Sequence, residues 1–285
     1  MGSPCQIRLR ASSLSHAQAL CQPLMQEAWR FEAKYSRYLP TSLVSQINAS
    51  AGAPLVLDSE AAAIIDYAAE LYQQSDGLFD ITSGVLRTAW DFSSAQLPAA
   101  QTIQALLPNI GWQQVDWQNP KLLLPAGMQI DLGGVVKEYA ADALAQCAQA
   151  QGIDSGLIEL GGDIRVFGSL TWPIGISDPR QPSRPLLQLT LEAGGFATSG
   201  NYQRYFMHAG KRYSHILNPK TGWPVVTPAG VSVIADNCLI AGSVSTLALL
   251  MGEEQCLSWL YDVGLPFLCV FNDGRIVNEF APSAN

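Results

Sequence analysis

The stretch Asp131-Leu132-Gly133-Gly134-Val135-Val136-Lys137 decides how the rest of the chain is interpreted. It follows the apolar Ile130 and opens a pattern that predicts a helix over residues 135–149, so it indicates a strand, a glycine pair and a helix N-terminus. There, backbone N–H groups and the helix dipole can meet phosphate oxygens. Lys137 is unusual in a first helical turn unless an anion or a nearby carboxylate offsets its charge. The spacing matches neither GxGxxG nor Walker A, and a plain strand–turn–helix corner is the alternative.

Outward from this stretch, hydrophobic periodicity predicts helices on the N-terminal side and mainly strands on the C-terminal side. We predict helices over 15–35, 58–74, 103–106, 135–149, 239–251 and 254–261, and a loop over 36–48. We predict strands at 7–10, within 112–124 (two), and at 157–160, 164–167, 172–176, 186–191, 196–198, 203–207, 212–217, 231–235, 267–271 and 275–280. With no linker or repeat, this order predicts an α/β (α+β mixed) fold, a single domain over residues 1–285 with mixed sheets packed against helices.

Composition excludes several classes of function. The chain has 285 residues, 48% of them hydrophobic, and a net charge of -8. That charge argues against a nucleic-acid partner, and no apolar run reaches the roughly 20 residues that membrane insertion needs. The six cysteines show no metal-ligand spacing, so we interpret them as buried small hydrophobes in a reducing compartment. No signal-peptide pattern opens the sequence, and we expect a cytoplasmic protein.

A second stretch, His215-Ile216-Leu217-Asn218-Pro219-Lys220-Thr221-Gly222, predicts a strand followed by a tight turn. Exposed N–H groups in such a turn suit an anionic ligand, and His215 is able to shuttle a proton. The alternative is an ordinary hairpin turn with one strand histidine. Ser199 with His215 would also fit a serine hydrolase, but no G-x-S-x-G motif accompanies them.

Seven short segments in order resemble the FAD:protein FMN transferase (ApbE) family over nearly the whole chain. They are MGSPCQIRL at the start, YSRYLPTSLVSQIN (35–48), DGLFDITSGVL (76–86), DLGGVVKEYAAD (131–142), IELGGDI (158–164), ATSGNYQRYF (197–206) and HILNPKTGWPV (215–225). The resemblance implies an α/β domain of the family's own type that binds FAD as substrate and uses Mg²⁺ to cleave its pyrophosphate. It implies transfer of FMN to a threonine hydroxyl of a target flavoprotein, with release of AMP; some similar proteins mainly hydrolyse FAD.

The resemblance also assigns site residues. It places FAD contacts at Met1, Tyr38, Phe79, Asp80, Ile81, Asp131, Lys137 and Ile216. It places the metal at the Gly134 carbonyl, at Thr246 and at the position of Gly242. Lys137 would stabilise charge on the pyrophosphate, and His215 is our candidate for acid/base catalysis.

Three positions depart from the family pattern. Gly242 stands where the family has a metal-binding Asp, Glu138 where it commonly has Gly, and Asn218 where it commonly has Asp. Because Mg²⁺ prefers oxygen ligands that include a carboxylate, Gly242 predicts a weak metal site that Gly242→Asp would tighten. Either Glu138 or Asp236 is able to supply the missing charge if the fold brings it near. We expect a Mg²⁺-assisted FMN transferase; the alternative is a catalytically silent FAD-binding paralogue.

Overall fold

In the computed structural model, residues 3–202 and 204–280 are described. The helices are α1 (Leu14–Tyr35), α2 (Leu43–Ala49), α3 (Ser59–Gln74), α4 (Ala100–Leu106), α5 (Val136–Ala150), α6 (Cys238–Leu250) and α7 (Gly252–Val263), with 3-10 turns at Ile81–Thr88, Leu107–Asn109 and Trp112–Gln114. The strands are β1 (Cys5–Leu9), β2 (Leu55–Val56), β3 (Asp116–Gln118), β4 (Lys121–Leu123), β5 (Gly156–Leu160), β6 (Asp163–Phe167), β7 (Trp172–Asp178), β8 (Gln181–Leu191), β9 (Gly194–Gly200), β10 (Tyr205–His208), β11 (Lys211–Ser214), β12 (Gly230–Ala235), β13 (Phe267–Val270) and β14 (Ile276–Asn278).

Seven strands form the central sheet in the order β1-β5-β6-β9-β12-β13-β14. The predicted fold class, helices packed on sheets in an α/β arrangement, is confirmed. The sheets, expected to be mixed, are antiparallel in every pairing between described strands. Tight turns account for part of this pattern: β5 passes to β6 through Gly161 and Gly162, both with positive φ, and such a two-residue hairpin requires antiparallel neighbours.

The central sheet is buried on both faces. Along β5, Ile158 and Leu160 pack into a core shared with α1, α3 and α5, whereas Leu157 packs into a second core shared with the β7–β8 hairpin. This split follows from the two-residue side-chain period of a strand. On β12, Val231 and Val233 pack against α6 and α7. The molecule therefore has a helical layer, a sheet and a β7–β8 layer.

A carboxylate ties α5 to the start of α6. The Asp142 side chain accepts hydrogen bonds from the backbone N–H groups of Cys238 and Leu239, each at 2.9 Å. Asn237 caps the same helix end by accepting from the N–H of Ile240 at 2.8 Å. These contacts satisfy N–H groups that have no partner within the helix, and they fix how the two helices face each other.

Three predicted elements were wrong. Residues 36–48, expected to be a loop, contain α2, because Ser42 caps a short turn of helix that buries Val44 and Ile47. The strand expected before Gly133 is absent from this described segment, because the backbone of Ile130 pairs with the Asn48 side chain instead of a neighbouring strand.

The strand predicted over 212–217 ends at Ser214. The backbone N–H of His215 still donates to the carbonyl of Arg204 at 3.1 Å, but the regular pairing stops there, and Leu217 forms an isolated bridge with Pro224. His215 and Ile216 therefore lie in a loop segment.

No helix among residues 3–202 and 204–280 is long and apolar enough to cross a bilayer.

Candidate active site

A cleft of about 640 Å³ lies where the N-terminus of α5 meets the second half of α6. Most of the site residues predicted from the sequence line it: Tyr38, Phe79, Asp80, Ile81, Asp131, Gly134, Lys137, His215, Ile216 and Thr246. Gly242 lies one helical turn before Thr246 on α6, and Met1 lies outside the described residues. The fold thus brings segments that are far apart in the sequence to one cleft.

The N-terminus of α5 forms one wall of this cleft. Its N-cap residue is Val135, which makes no side-chain hydrogen bond to the helix end. Gly133, Gly134 and Lys137 line the cleft beside it. A helix end that carries partial positive charge, next to a lysine, is a favourable place for phosphate oxygens.

Lys137 is held by two buried carboxylates. Its Nζ donates a hydrogen bond to Asp163 and lies 3.5 Å from Oε1 of Glu138. Burial alone would lower the pKa of Lys137, but the charges of Glu138 and Asp163 outweigh it and raise that pKa. Burial also raises the pKa of Asp163, with the charge of Glu138 adding to this effect and Lys137 opposing it. The carboxylates therefore provide the charge compensation that Lys137 requires.

Glu138 fills the space beside Gly242. Its side chain is buried, and an ideal Cβ built on Gly242 would lie 2.4 Å from Cγ of Glu138 and 3.1 Å from Oε1. The Oε2 atom of Glu138 has no hydrogen-bond partner among the described residues. A buried carboxylate oxygen without a partner is costly, so a cation or hydrogen-bond donor placed at this atom would be stabilising.

A chain of hydroxyl groups orients Thr246. The Ser245 hydroxyl donates to the carbonyl oxygen of Gly242 at 3.0 Å, because a carbonyl oxygen can only accept. The Ser199–Ser245 bond at 2.8 Å must then use the hydrogen of Ser199, and the Ser199–Thr246 bond at 3.0 Å the hydrogen of Thr246. Because a hydroxyl has one hydrogen and two lone pairs, Thr246 keeps acceptor capacity for a further partner. This geometry suits an oxygen ligand of a cation.

His215 is held in one tautomer. Its Nδ1 lies 3.1 Å from the carbonyl oxygen of Arg204, which only accepts, so Nδ1 carries the hydrogen and Nε2 keeps its lone pair in the neutral ring. Burial, reinforced by the guanidinium groups of Arg87 and Arg204, lowers the pKa of His215 to about 4. At neutral pH the ring is therefore uncharged and able to accept a proton at Nε2.

Two predicted FAD contacts have structural partners of their own. Asp131 forms an ion pair with Arg37 at 2.9 Å and accepts from the N–H of Gly133 at 2.9 Å. Asp80 is buried and accepts from the N–H and hydroxyl of Thr82, at 2.8 and 2.6 Å, and from the N–H of Trp112 at 3.1 Å. Asp80 thus caps the 3-10 turn that follows it, and burial raises its pKa despite these hydrogen bonds.

The predicted anion-binding turn at 218–222 has its N–H groups occupied. The Asn218 side chain accepts from the N–H groups of Lys220 and Thr221, at 2.8 and 3.2 Å. The N–H of Gly222 donates to the carbonyl of Asn218 at 2.8 Å, and Lys220 pairs with Asp76. The hairpin-turn interpretation of this stretch is therefore the correct one, and the anion-binding interpretation of its N–H groups was wrong because Asn218 satisfies them.

Comparison with known proteins identifies the family. The sequence profile of the ApbE family matches residues 1–268. The chain belongs to the ApbE family. A relative from Klebsiella pneumoniae, named FAD:protein FMN transferase, is 31% identical over 90% of this chain and 81% of its own length. A relative of the same name from Treponema pallidum is 28% identical over 97% of this chain and 84% of its own.

A solved structure supports the same assignment. The crystal structure of the ApbE protein from Thermotoga maritima superposes with a TM-score of 0.89 at 29% identity, covering 98% of this chain and 94% of that one. The ApbE resemblance inferred from the sequence motifs is thereby confirmed, as is the expectation that the chain belongs to a family of enzymes.

Several cleft residues were not expected in this ApbE chain. Asp163 and Arg37 lie inside the motif segments 158–164 and 35–48. Their charge within a motif was the sequence feature that could have identified them as cleft residues. Arg87 follows the DITSGVL segment and lines the cleft, and no ion pair joins it to a carboxylate in the part of the chain that the structure describes. Burial lowers the pKa of Arg87, and an anionic ligand would relieve that cost.

Proposed function

We propose that this ApbE protein transfers FMN from FAD to a threonine hydroxyl of a target flavoprotein and releases AMP. The observation that carries the proposal is the N-terminus of α5, which presents Lys137 and a helix end without a side-chain cap to the cleft. A diphosphate is the ligand that this charge pattern suits best.

The dimensions and walls of the cleft support a dinucleotide as ligand. Its volume of about 640 Å³ lies within the usual range for small-molecule sites. Phe79 is buried in its wall, and Tyr38 is 72% exposed and lines it as well. Aromatic rings in these positions suit stacking and edge contacts with flavin or adenine. The proposal includes these two aromatic contacts with FAD. It also includes contacts from Ile81 and Ile216, and a hydrogen bond that Asp131 accepts from a hydroxyl group of FAD.

In the proposed reaction, an oxygen–phosphorus bond forms between the acceptor threonine and the FMN phosphate while the pyrophosphate bond breaks. The bridging oxygen leaves with AMP, and the threonine proton passes to Nε2 of His215. A neutral histidine with a free Nε2 is suited to that step. Lys137 and the N-terminus of α5 stabilise the negative charge that develops on the phosphates, which is the main requirement of phosphoryl transfer.

The residues of the cleft fit a divalent cation such as Mg²⁺. The unpartnered Oε2 of Glu138 and the free lone pairs of Thr246 are hard oxygen donors, and the Gly134 carbonyl would complete the protein's share. No group of three or more His, Cys, Asp or Glu side chains among residues 3–202 and 204–280 is arranged to hold a metal alone. The ion would thus depend on substrate phosphates, and when bound it would neutralise phosphate charge.

The test is the conversion of FAD by the purified protein. With Mg²⁺ present, chromatography should detect AMP and FMN released from FAD, and an added flavoprotein substrate should gain covalent flavin on a threonine. Chelator should abolish both. His215→Gln should suppress covalent transfer, whereas the matched substitution His208→Gln, at an exposed strand end, should not.

The same experiment separates the transferase from an FAD-binding protein without activity, an alternative that rests on the missing carboxylate at Gly242. Binding of FAD with no release of AMP under saturating Mg²⁺ would contradict the proposal and favour that alternative. Equal affinity for FMN and FAD would show that the cleft does not recognise the diphosphate.

A further inference from the structure

Glu138 and Gly242 face each other across the contact between α5 and α6. Gly242 lies inside α6, where glycine costs stability relative to alanine. Its φ is not positive, so the backbone there does not require glycine. The available space requires glycine instead, because a Cβ at this position would lie 2.4 Å from Cγ of Glu138, far inside the contact distance of two carbon atoms. Gly242 is therefore the residue that allows Glu138 to occupy this site.

The Glu138 side chain interacts with both Lys137 and Asp163, but only one of its two carboxylate oxygens is engaged. Its Oε1 lies 3.5 Å from the ammonium of Lys137, but that ammonium donates its short hydrogen bond to Asp163. Its Oε2 is buried without any partner among the described residues. Glu138 and Thr246 both line the cleft, so this carboxylate oxygen and the oriented hydroxyl of Thr246 are both available to a cation bound there.

We infer that Glu138 supplies from α5 the carboxylate ligand for a divalent cation that α6 lacks at Gly242, so that the two residues form a compensating pair. This inference rests on the proposed function, since it concerns the cation of the same cleft. The acid reaches the site from the neighbouring helix, with a side chain one methylene longer than that of aspartate. The space it crosses is the space that a side chain at position 242 would have taken.

The pairing reverses the expectation drawn from the sequence for Gly242→Asp. A carboxylate added to Gly242 alone would collide with Glu138 and place a second negative charge against it. We therefore expect Gly242→Asp to lower thermal stability and to leave cation affinity no better than in the wild type. The double variant Glu138→Gly/Gly242→Asp moves the carboxylate from α5 to α6 and removes the collision.

The experiment measures Mn²⁺ affinity by electron paramagnetic resonance, with Mn²⁺ alone and with ADP as a diphosphate that carries no flavin. Glu138→Gln, which is nearly isosteric, should weaken Mn²⁺ binding by at least about 10- to 100-fold, the range found for residues that only support a metal ligand. The matched control Glu159→Gln, a carboxamide substitution on β5 outside the cleft lining, should leave it unchanged. The double variant should recover both Mn²⁺ affinity and thermal stability relative to Gly242→Asp.

Unchanged Mn²⁺ affinity in Glu138→Gln would overturn the inference, as would a Gly242→Asp variant that binds Mn²⁺ more tightly without loss of stability. A double variant no better than its single parents would overturn the compensating pair. Mn²⁺ affinity and thermal stability are measured without turnover, whereas the proposed function is tested by release of AMP. Failure of the inference is therefore distinguishable from failure of the proposed function.

Discussion

The hydroxyl of Ser199 lies 3.0 Å from the hydroxyl of Thr246 and 2.8 Å from that of Ser245, and it joins β9 to α6 at the cleft wall. Thr246 donates to Ser199, Ser199 donates to Ser245, and Ser245 donates to the Gly242 carbonyl. Ser199 thereby positions Thr246. It has no hydrogen bond to His215 in the part of the chain that the structure describes, so the arrangement does not support a serine nucleophile activated by that histidine.

We predict that Ser199→Ala folds normally and loses about 0.5–1.5 kcal/mol of unfolding free energy, the usual worth of a hydrogen bond. Urea denaturation measures this loss, with Ser258→Ala, an exposed serine on α7, as the control. A serine-directed phosphonate should leave Ser199 unlabelled. Stoichiometric labelling of Ser199 with loss of activity would contradict the transferase proposal and support a hydrolase.

Lys137→Ala should weaken FAD binding by about 1–3 kcal/mol, the scale of a charged hydrogen bond, and FMN binding by less. The same change leaves Asp163 and Glu138 without their shared cation, so the melting temperature should also fall. Calorimetry and thermal denaturation measure the two effects. Lys220→Ala, whose ammonium pairs with Asp76 outside the cleft, should change neither; an equal effect of both variants on FAD affinity would indicate general electrostatic attraction.

His215 should make the folded state sensitive to acid. Its pKa falls from 6.5 to about 4 on folding, so between these values the unfolded chain binds a proton that the folded chain does not. The contribution of His215 to stability is therefore greatest above about pH 6.5 and is lost as the pH falls towards 4. Relative to His215→Gln, the wild type should lose unfolding free energy across this window and run parallel to the variant above it. A constant difference from pH 4 to 7 would show that the pKa is not lowered.

Asp142→Ala should destabilise the protein by about 1–2 kcal/mol, because two N–H groups at the start of α6 lose their acceptor. Since α6 carries Thr246, we also expect weaker Mn²⁺ binding in the presence of ADP. Asp262→Ala, on the exposed face of α7, is the control for urea denaturation. Loss of stability with unchanged Mn²⁺ affinity would show that α6 keeps its place without this cap.

Strongly periodic segments could be predicted from the sequence, because burial alone determines them. The apolar stripe of α3 and the Asp58 cap before it gave a helix whose bounds agree within one residue. In contrast, α2 depends on a single serine cap and two buried side chains, which is too short a pattern to separate from a loop. The end of β11 depends on partners that are remote in sequence.

The family motifs located most of the cleft, whereas the contacts between its residues could not be predicted. Whether Glu138 or Asp236 lies near Gly242 depends on how α5 and α6 pack, and the three atoms nearest to a Cβ at Gly242 all belong to Glu138. The occupied N–H groups at 218–222 depend on the rotamer of Asn218, which no pattern in the sequence specifies. The single domain over 1–285, the cytoplasmic location and the roles of the site residues remain predictions.

The order of the central sheet has a practical consequence for how the protein is handled. Strand β1 forms one edge and β14 the other, about 29 Å apart for six strand spacings. Ser3, just before β1, lines the cleft, so a fluorophore attached at this position would lie next to the cleft. Phe280, after β14, packs with the β7–β8 layer on the opposite face. A label attached at Phe280 is therefore expected to lie on the side of the sheet away from the helical layer and the cleft.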